Sequence, residues 1–365
     1  HSIKRNIKAA YYYPDKRAQS TRVKTPMRVA LDSAGIDVLD ISDSDIGGRS
    51  ETRTGDSDGH VANLSSAAMG QAAGIDAWIS EACAADQMDR LGPHACKELG
   101  IPFVIVEPDV GIAAKDQRDT ALEIVGQASH IVTTSSATAR YLEDLKPKGL
   151  TLLSTFVDTG PFLAAHKVRE LHKSRLASTL RLAETLPWLL TDGEMNHGDS
   201  LRSYEVLSVA LSRLVMMDWT LIVVASGNAM PEVRRIMLRL PQDRIRYYDA
   251  TSLSDFAALC ASCDLYVWPA VGDSSPGSLL EAQSSGLPVV AGRNDSTEDR
   301  VIDGRTGRLT PIENAESFAG AISFLLRQPD FMRSFGEDAR DTVSSQHHLD
   351  IAAGRLGKVL ADLCR

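Results

Sequence analysis

The sequence predicts an α/β protein built as two doubly wound domains facing across a cleft. Three observations carry that expectation. Short β-rich runs alternate with helical patterns along most of the chain, which is the signature of a parallel sheet covered on both faces. The alternation breaks once, at Phe156–Pro161, where Asp, Thr, Gly and Pro cluster. The chain has 365 residues, enough for two ordinary domains. Two sheets joined by one linker leave a cleft, a common place for a ligand.

In chain order, Ile7–Tyr13 is a β-rich run, followed by a loop over Pro14–Ser20 and a helical segment to about Ala34, stopped by Gly35. Ile36–Ile41 reads as the second strand. Residues 42–60 are rich in Ser, Asp, Gly and Thr with almost no apolar side chains, so a surface loop is expected. Ala77–Ile79, Phe103–Val106, Ile131–Thr134 and Thr151–Ser154 complete the first set of strands. After the break, a helical run covers Phe162 to Leu186. A second series then comprises Leu189–Thr191, Leu221–Ala225, Ile245–Tyr248, Leu265–Trp268 and Val289–Ala291. Ile351–Leu363 is an amphipathic helix. The expected division is 1–155, 156–345 and a terminal helix within 346–365.

Composition excludes several classes. Hydrophobic residues make up 43% and charged residues 24%, as in ordinary globular proteins. A net charge of −9 disfavours bulk nucleic-acid binding. No apolar run reaches the length of a transmembrane helix and no leader pattern opens the chain. A cytoplasmic location is therefore expected, with peripheral attachment at the inner membrane face as its variant. Five cysteines without framework spacing fit a reducing compartment. Cys260 and Cys263 form a C-x-x-C with no second ligand pair at zinc spacing, so two buried thiols are expected.

The most informative stretch is Trp268–Gly292, which reads as strand, loop, short helix, Gly-Leu-Pro turn, strand. Asp273 and Glu281 stand eight residues apart, with Ser274, Ser275, Pro276, Gly277 and Ser278 between them where the helix begins. Unpaired N–H groups at a helix start attract phosphate, and flanking carboxylates accept hydrogen bonds from sugar hydroxyls. That pairing suits a nucleotide-sugar, although an ordinary strand–helix–strand unit has the same outline.

This block resembles the acidic-x7-Glu signature of family 4 retaining glycosyltransferases, with the Leu279-Leu280-Glu281-Ala282 and Gly286-Leu287-Pro288-Val289-Val290-Ala291 runs that follow it. Leu221–Ala225, Arg244–Asp249, Leu253–Pro269 and Glu298–Leu309 keep that family's order, and Asp76–Val106 and His130–Phe162 fit its first half more loosely. The resemblance implies the GT-B arrangement of two Rossmann-like domains, with the terminal helix crossing back to the first. It implies sugar transfer from a nucleoside diphosphate sugar with retention at the anomeric carbon, without metal or cofactor. Glu281 would hold the ribose diol and Asp273 the transferred sugar. Ser274, Ser275, Gly277 and Ser278 would line the diphosphate, and Asp249 and Ala250 the base. The acceptor would be a sugar, a polysaccharide or a lipid-linked molecule.

Departures from the family pattern concentrate at the donor side. Relatives carry an Arg and a Lys after the first strand of the second domain; Asn196 and Ser200 are read in their place, with His197 and Arg202 nearby. Losing one charged donor at a developing oxyanion costs about 2.7–4 kcal/mol. Arg202 is the nearest replacement, and Arg17 or Arg22 in the basic N-terminal segment are the alternatives. That segment also offers a patch for an anionic acceptor or lipid phosphate. A histidine that relatives place near the sugar has no counterpart after Ala77–Ile79. His94 and Glu107 are the weaker candidates on the sugar or acceptor side; Glu107 ends a strand, where parallel sheets place ligands. Asp43-Ser44-Asp45 lies in the polar loop, so no metal site is expected. A second expectation stays open: a GT-B scaffold with decayed donor chemistry that serves as a binding or regulatory subunit for a protein partner. An epimerase or phosphorylase would need a catalytic carboxylate or cofactor lysine that the sequence does not single out.

Overall fold

The computed structural model describes residues 7–13, 25–42, 74–81, 89, 91–108, 115–224, 227–272 and 278–365. They form two compact units: one of residues 1–155 with 349–365, the other of residues 156–348.

Unit 1 holds β1 (Lys8–Tyr13), α1 (Pro26–Ser33), β2 (Asp37–Ser42), β3 (Ala77–Glu81), α2 (Gly92–Leu99), β4 (Phe103–Val106), α3 (Lys115–Gln127), β5 (His130–Thr133), α4 (Ser136–Asp144) and β6 (Leu150–Leu152). The sheet is parallel throughout, in the order β2-β1-β3-β4-β5-β6. Tyr11 lies between Asp40 and Ile79 in register. The chain reverses its direction of travel between β1 and β3, the switch point at which such sheets bind ligands. Strand β3 is buried along its whole length and β4 is wholly apolar, as strands covered on both faces require. Thr25 caps α1 by accepting from the Arg28 amide at 3.3 Å, and Pro26 opens it. Asp89 plays a similar part before α2, accepting from the amides of Leu91 and Gly92 at 2.8 and 2.9 Å and from Trp78 Nε1 at 2.7 Å.

Unit 2 holds α5 (Gly160–Lys167), α6 (Arg169–Leu180), β7 (Trp188–Thr191), α7 (Asp199–Ser212), β8 (Thr220–Val224), α8 (Met230–Met237), β9 (Ile245–Tyr248), α9 (Leu253–Ser262) and β10 (Leu265–Trp268). It continues with α10 (Leu279–Ser284), β11 (Val289–Gly292), α11 (Asp295–Glu298), β12 (Gly307–Thr310), α12 (Ala315–Arg327) and α13 (Pro329–Gln346). The sheet is again parallel, in the order β12-β11-β10-β7-β8-β9, with its switch point between β7 and β10. The core gathers Trp188, Trp219, Trp268, Tyr204 and Tyr266, all fully buried. Asp264 ties the start of β7 to α6: it accepts from the Trp188 amide at 2.9 Å, from Arg169 at 2.5 Å and from Lys173 at 3.2 Å. Cys260 and Cys263 are buried thiols, and burial raises both above the usual thiol range. The final helix, α14 (Leu349–Leu363), belongs to unit 1 and packs on α1.

The expected elements are modified in three places. The helical run over 162–186 is two helices divided at Val168, and the second closes at Arg181 in a left-handed conformation with φ 54°. Strand β12 is additional to the expected series; of its four residues only Leu309 is a large apolar one. Among the basic N-terminal residues, Arg28 is buried and ion-paired with Asp32 and, at 2.7 Å, with Asp40, so it fastens α1 to β2. None of the described helices is long and apolar enough to cross a membrane.

Candidate functional site

The switch point of unit 2 gathers the ends of β7 and β10 and the start of α10. Asp192, directly after β7, accepts hydrogen bonds from Ser278 Oγ at 2.7 Å and from the Tyr266 hydroxyl, which is itself 3.2 Å from Ser278 Oγ. Burial raises the Asp192 carboxyl above its usual range, against the lowering effect of the two hydroxyls. Gly193 follows because nothing larger fits: a Cβ there would stand 2.0 Å from the Trp268 ring. The Tyr204 hydroxyl donates to the Gly193 carbonyl, and the Tyr204 ring meets Trp268 edge-on at 5.2 Å.

The loop after β10 is fixed from outside. Ala270 takes φ 51°, a conformation L-residues rarely adopt, and Gly272 takes φ 63°. Asn294 Nδ2 donates to the carbonyls of Ala270 at 3.2 Å and Gly272 at 2.8 Å, while Ser203 Oγ accepts from the Val271 amide at 2.9 Å. Asn294 also forms a capping box with Thr297 at the start of α11. A Cβ on Gly272 would fall 2.0 Å from Asp199 Oδ2, so a carboxylate from the first turn of α7 borders this loop.

Glu281 sits in the first turn of α10, half-buried. Its Oε2 is shielded from solvent and accepts no hydrogen bond from any described residue. Burial, and then the Asp192 carboxylate, push its carboxyl up to about 7; a backbone N–H hydrogen bond at Glu281 and, more weakly, Arg300 pull the other way. A shielded carboxylate oxygen without a donor is costly, of order 1–3 kcal/mol. An incoming hydroxyl pair would remove that cost, because a carboxylate accepts from both hydroxyls of a diol.

The other sequence candidates fall as follows. Ser278 joins the Asp192–Tyr266 group as the residue before α10. Asp273, Ser274, Ser275 and Gly277 lie outside the described residues, as do Arg17 and Arg22. Arg202 is exposed on α7 and ion-paired with Glu313. Asn196 donates to Glu194 at 2.8 Å. Asp249 is exposed and Ala250 half-buried, both just after β9 at the sheet edge. Apart from these candidates, Arg293 directly after β11 is held by Glu298 at 2.8 Å and Asp303 at 2.6 Å.

In unit 1, Glu107 follows β4 with φ 51° and accepts from the Thr134 amide at 3.0 Å and Thr133 Oγ1 at 3.3 Å. Burial, with a smaller contribution from Glu81, raises its carboxyl. Glu81, at the end of β3, accepts from the Tyr11 hydroxyl at 2.7 Å. His94 is exposed in the first turn of α2. The structure thus brings Ser278 and Glu281 together and adds three residues that sequence reasoning missed: Asp192, Tyr266 and Asp199. The Asp192-Gly193 pair at a strand end was the available signal. Among the described residues, no group of three or more His, Cys, Asp or Glu side chains could hold a metal ion.

Comparison with known proteins agrees with this geometry. Residues 187–328, most of unit 2, match the family described as Glycosyl transferases group 1. The chain is 32% identical over 114 residues to a D-inositol 3-phosphate glycosyltransferase of Corynebacterium glutamicum, covering 31% of this chain and 27% of that protein. It is 35% identical over 86 residues to a phosphatidyl-myo-inositol mannosyltransferase of Mycobacterium leprae, covering 23% of each. The matched region thus spans only about a quarter of these curated relatives. Among solved structures, a glycosyltransferase from Rickettsia africae superposes with TM-score 0.78 at 15% identity over 99% of both chains. Sucrose-phosphate synthase from Thermosynechococcus elongatus gives 0.73 at 17% identity, over 98% of this chain and 99% of that one. Anabaena HepE, solved with UDP and glucose, gives 0.71 at 15% over 98% and 100%. At these identities the likeness is one of fold, and the fold is GT-B.

Proposed function

We propose, from the premise that the chain carries a group 1 glycosyltransferase domain over residues 187–328, that it transfers a sugar from a nucleoside diphosphate sugar to an acceptor hydroxyl, with retention and without a metal. The carrying observation is Glu281 Oε2, shielded and without a hydrogen-bond donor among the described residues, beside the switch point of unit 2. In this reading Glu281 holds the ribose diol and Asp273 the transferred sugar. The segment Ser274, Ser275, Gly277 and Ser278 offers donors to the diphosphate, with Arg202 as the nearby cation and Asp249–Ala250 beside the base. As the bond from anomeric carbon to phosphate oxygen breaks, the departing diphosphate takes the acceptor proton, and the acceptor oxygen attacks from the same face. Glu107, His94, Arg17 and Arg22 of unit 1 are the candidates on the acceptor side. The fold neighbour solved with UDP and glucose supports a uridine nucleotide as the first probe. The relatives named for inositol phosphate and phosphatidyl-inositol support a polyol or lipid-linked acceptor, and with it work at the inner membrane face.

A second reading has its own support. Arg202 is taken by Glu313, and the Asp199 carboxylate borders Gly272, on the side where the family resemblance implies a basic clamp. A chain with that donor side could bind a partner protein and transfer nothing. Calorimetric titration with UDP, GDP, ADP and their sugar conjugates, with and without EDTA, separates the two. Binding of one nucleotide sugar that is indifferent to EDTA and lost in Glu281→Gln supports the transferase. No binding across the panel favours the partner subunit.

A further inference from the structure

Helix α10 has six residues and carries Glu281, so its own backbone bonds do little to fix its direction. Its start is tied through Ser278 to Asp192 and Tyr266. Its end is tied by a different device. His166 Nδ1 lies 2.7 Å from the Ser285 carbonyl oxygen, and His166 Nε2 lies 2.7 Å from Arg340 Nη1. A guanidinium only donates, so Nε2 must accept and the ring proton must sit on Nδ1, donating to Ser285. The contact therefore selects one neutral tautomer. It links three elements of unit 2: Arg340 on α13, His166 on α5, and the turn that closes α10.

The surroundings leave this link little freedom. Phe162 and Ala165 of α5 pack on Ala257 and Ala261 of α9, with Phe162 edge-on to Phe256 at 6.4 Å. Helix α13 meets the turn at Gly336, where a Cβ would stand 2.2 Å from the Gly286 carbonyl oxygen. Gly286 takes φ 78° against the His166 ring. The charged groups facing His166 are Arg340 of α13 and Arg169 of α6; both act with burial to disfavour the imidazolium. Helix α9 brings only Asp255 and the buried Cys260 thiol as titratable side chains, and α10 only Glu281. A second ring proton would point an N–H at the Arg340 N–H, and the link would open.

We propose that His166 is a positioning residue for Glu281: as the Nδ1–H tautomer it ties the end of α10 to Arg340 of α13, and acid releases it. The value of that position for nucleotide binding rests on the donor-site reading of Glu281.

The test measures UDP-glucose affinity and amide hydrogen exchange in the wild-type chain, His166→Ala, His166→Asn and Arg340→Met, with circular dichroism to confirm folding. Losing the link in His166→Ala is expected to weaken UDP-glucose by about tenfold at pH 7.5 and to speed exchange at 279–287 by a similar factor, leaving 220–248 unchanged. Asparagine keeps an N–H for Ser285 and does not titrate, so His166→Asn is expected to recover most of the affinity. As pH falls below 6 the wild-type affinity is expected to fall more steeply than that of His166→Asn, because protonation of His166 adds to that of Glu281. Unchanged exchange at 279–287 in His166→Ala, or an equally steep fall of affinity with acid in His166→Asn, overturns the proposal. If the wild-type chain binds no nucleotide sugar, the donor reading fails by itself. The exchange rates and the Glu281 titration followed by carboxyl NMR then decide whether His166 positions α10.

Discussion

Replacing Glu281 by glutamine is expected to gain stability relative to the wild type as pH rises and, on the donor-site reading, to abolish nucleotide-sugar binding. The carboxyl moves from its ordinary 4.5 to about 7 on folding. Between those values the unfolded chain has released a proton that the folded chain keeps, so native stability falls as pH rises through the window. At about 1.4 kcal/mol for each tenfold, the loss reaches about 3 kcal/mol once both states are ionised, near pH 8. Glutamine has no proton to lose. The stability gap between variant and wild type should therefore widen by about 3 kcal/mol from pH 4.5 to pH 8, and stay level above that. Whatever an unpaired amide costs at this position is the same at every pH and drops out of the comparison. Urea unfolding at pH 5, 6, 7 and 8 measures the gap. Tryptophan fluorescence reports mainly on unit 2, whose core holds Trp188, Trp219 and Trp268. In heat the gain would appear as about 2–4 °C per kcal/mol for a unit of this size. A gap that stays constant with pH would refute the reasoning, because it would mean that water reaches the Glu281 carboxylate freely.

Three further outcomes follow from the same geometry. UDP-glucose carries no group that titrates between pH 6 and 8, so, on the donor-site reading, its affinity for the wild-type chain is expected to rise about tenfold across that range as Glu281 ionises. Calorimetry on Glu281→Gln should show a flat profile. Gly193→Ala places a methyl group against the Trp268 ring and is expected to lower stability by about 1–3 kcal/mol, read as a lower urea midpoint at pH 7. Arg202→Met removes an exposed ion pair with Glu313 and should change stability by less than about 1 kcal/mol. If Arg202 serves the diphosphate, the same substitution should weaken UDP-glucose at least about tenfold.

Much of the fold was legible because buried parallel strands write themselves as short apolar runs. Phe103–Val106, Leu221–Val224 and Val289–Ala291 are of that kind and stand where the runs placed them. Strand β12 was not legible for the opposite reason: it is an edge strand with arginine and threonine among its four residues. The division of the helical run at Val168 left no mark either, since neither glycine nor proline stands there and the hydrophobic pattern continues. At the candidate site, sequence could set Glu281 on a helix after a strand. It could not say that the Glu281 carboxyl would be raised, because that depends on burial and on Asp192, which follows a strand some ninety residues earlier. Arg28 shows the same limit in reverse: it reads as part of a basic patch and is spent on Asp32 and Asp40.

Glu281 Oε2 stays shielded because α10 cannot turn to relieve it. A free side chain with a shielded oxygen would rotate toward water, and a loosely held helix would carry it there. Here the two ends of the helix are gripped by unrelated groups, Asp192 and Tyr266 at Ser278 and His166 at Ser285. Loosening one end should therefore lower the Glu281 carboxyl toward its ordinary value, even though Ser278 does not touch that carboxylate by a hydrogen bond. Ser278→Ala does so twice over. It frees the start of α10, and it takes from Asp192 a hydrogen bond that favours its charged form, so less negative charge faces Glu281. In the Ser278→Ala background, the pH-dependent part of the Glu281→Gln stability gap is expected to shrink from about 3 kcal/mol to about half that. If the full gap survives, Glu281 is shielded by its immediate packing alone, and the two grips have no bearing on it.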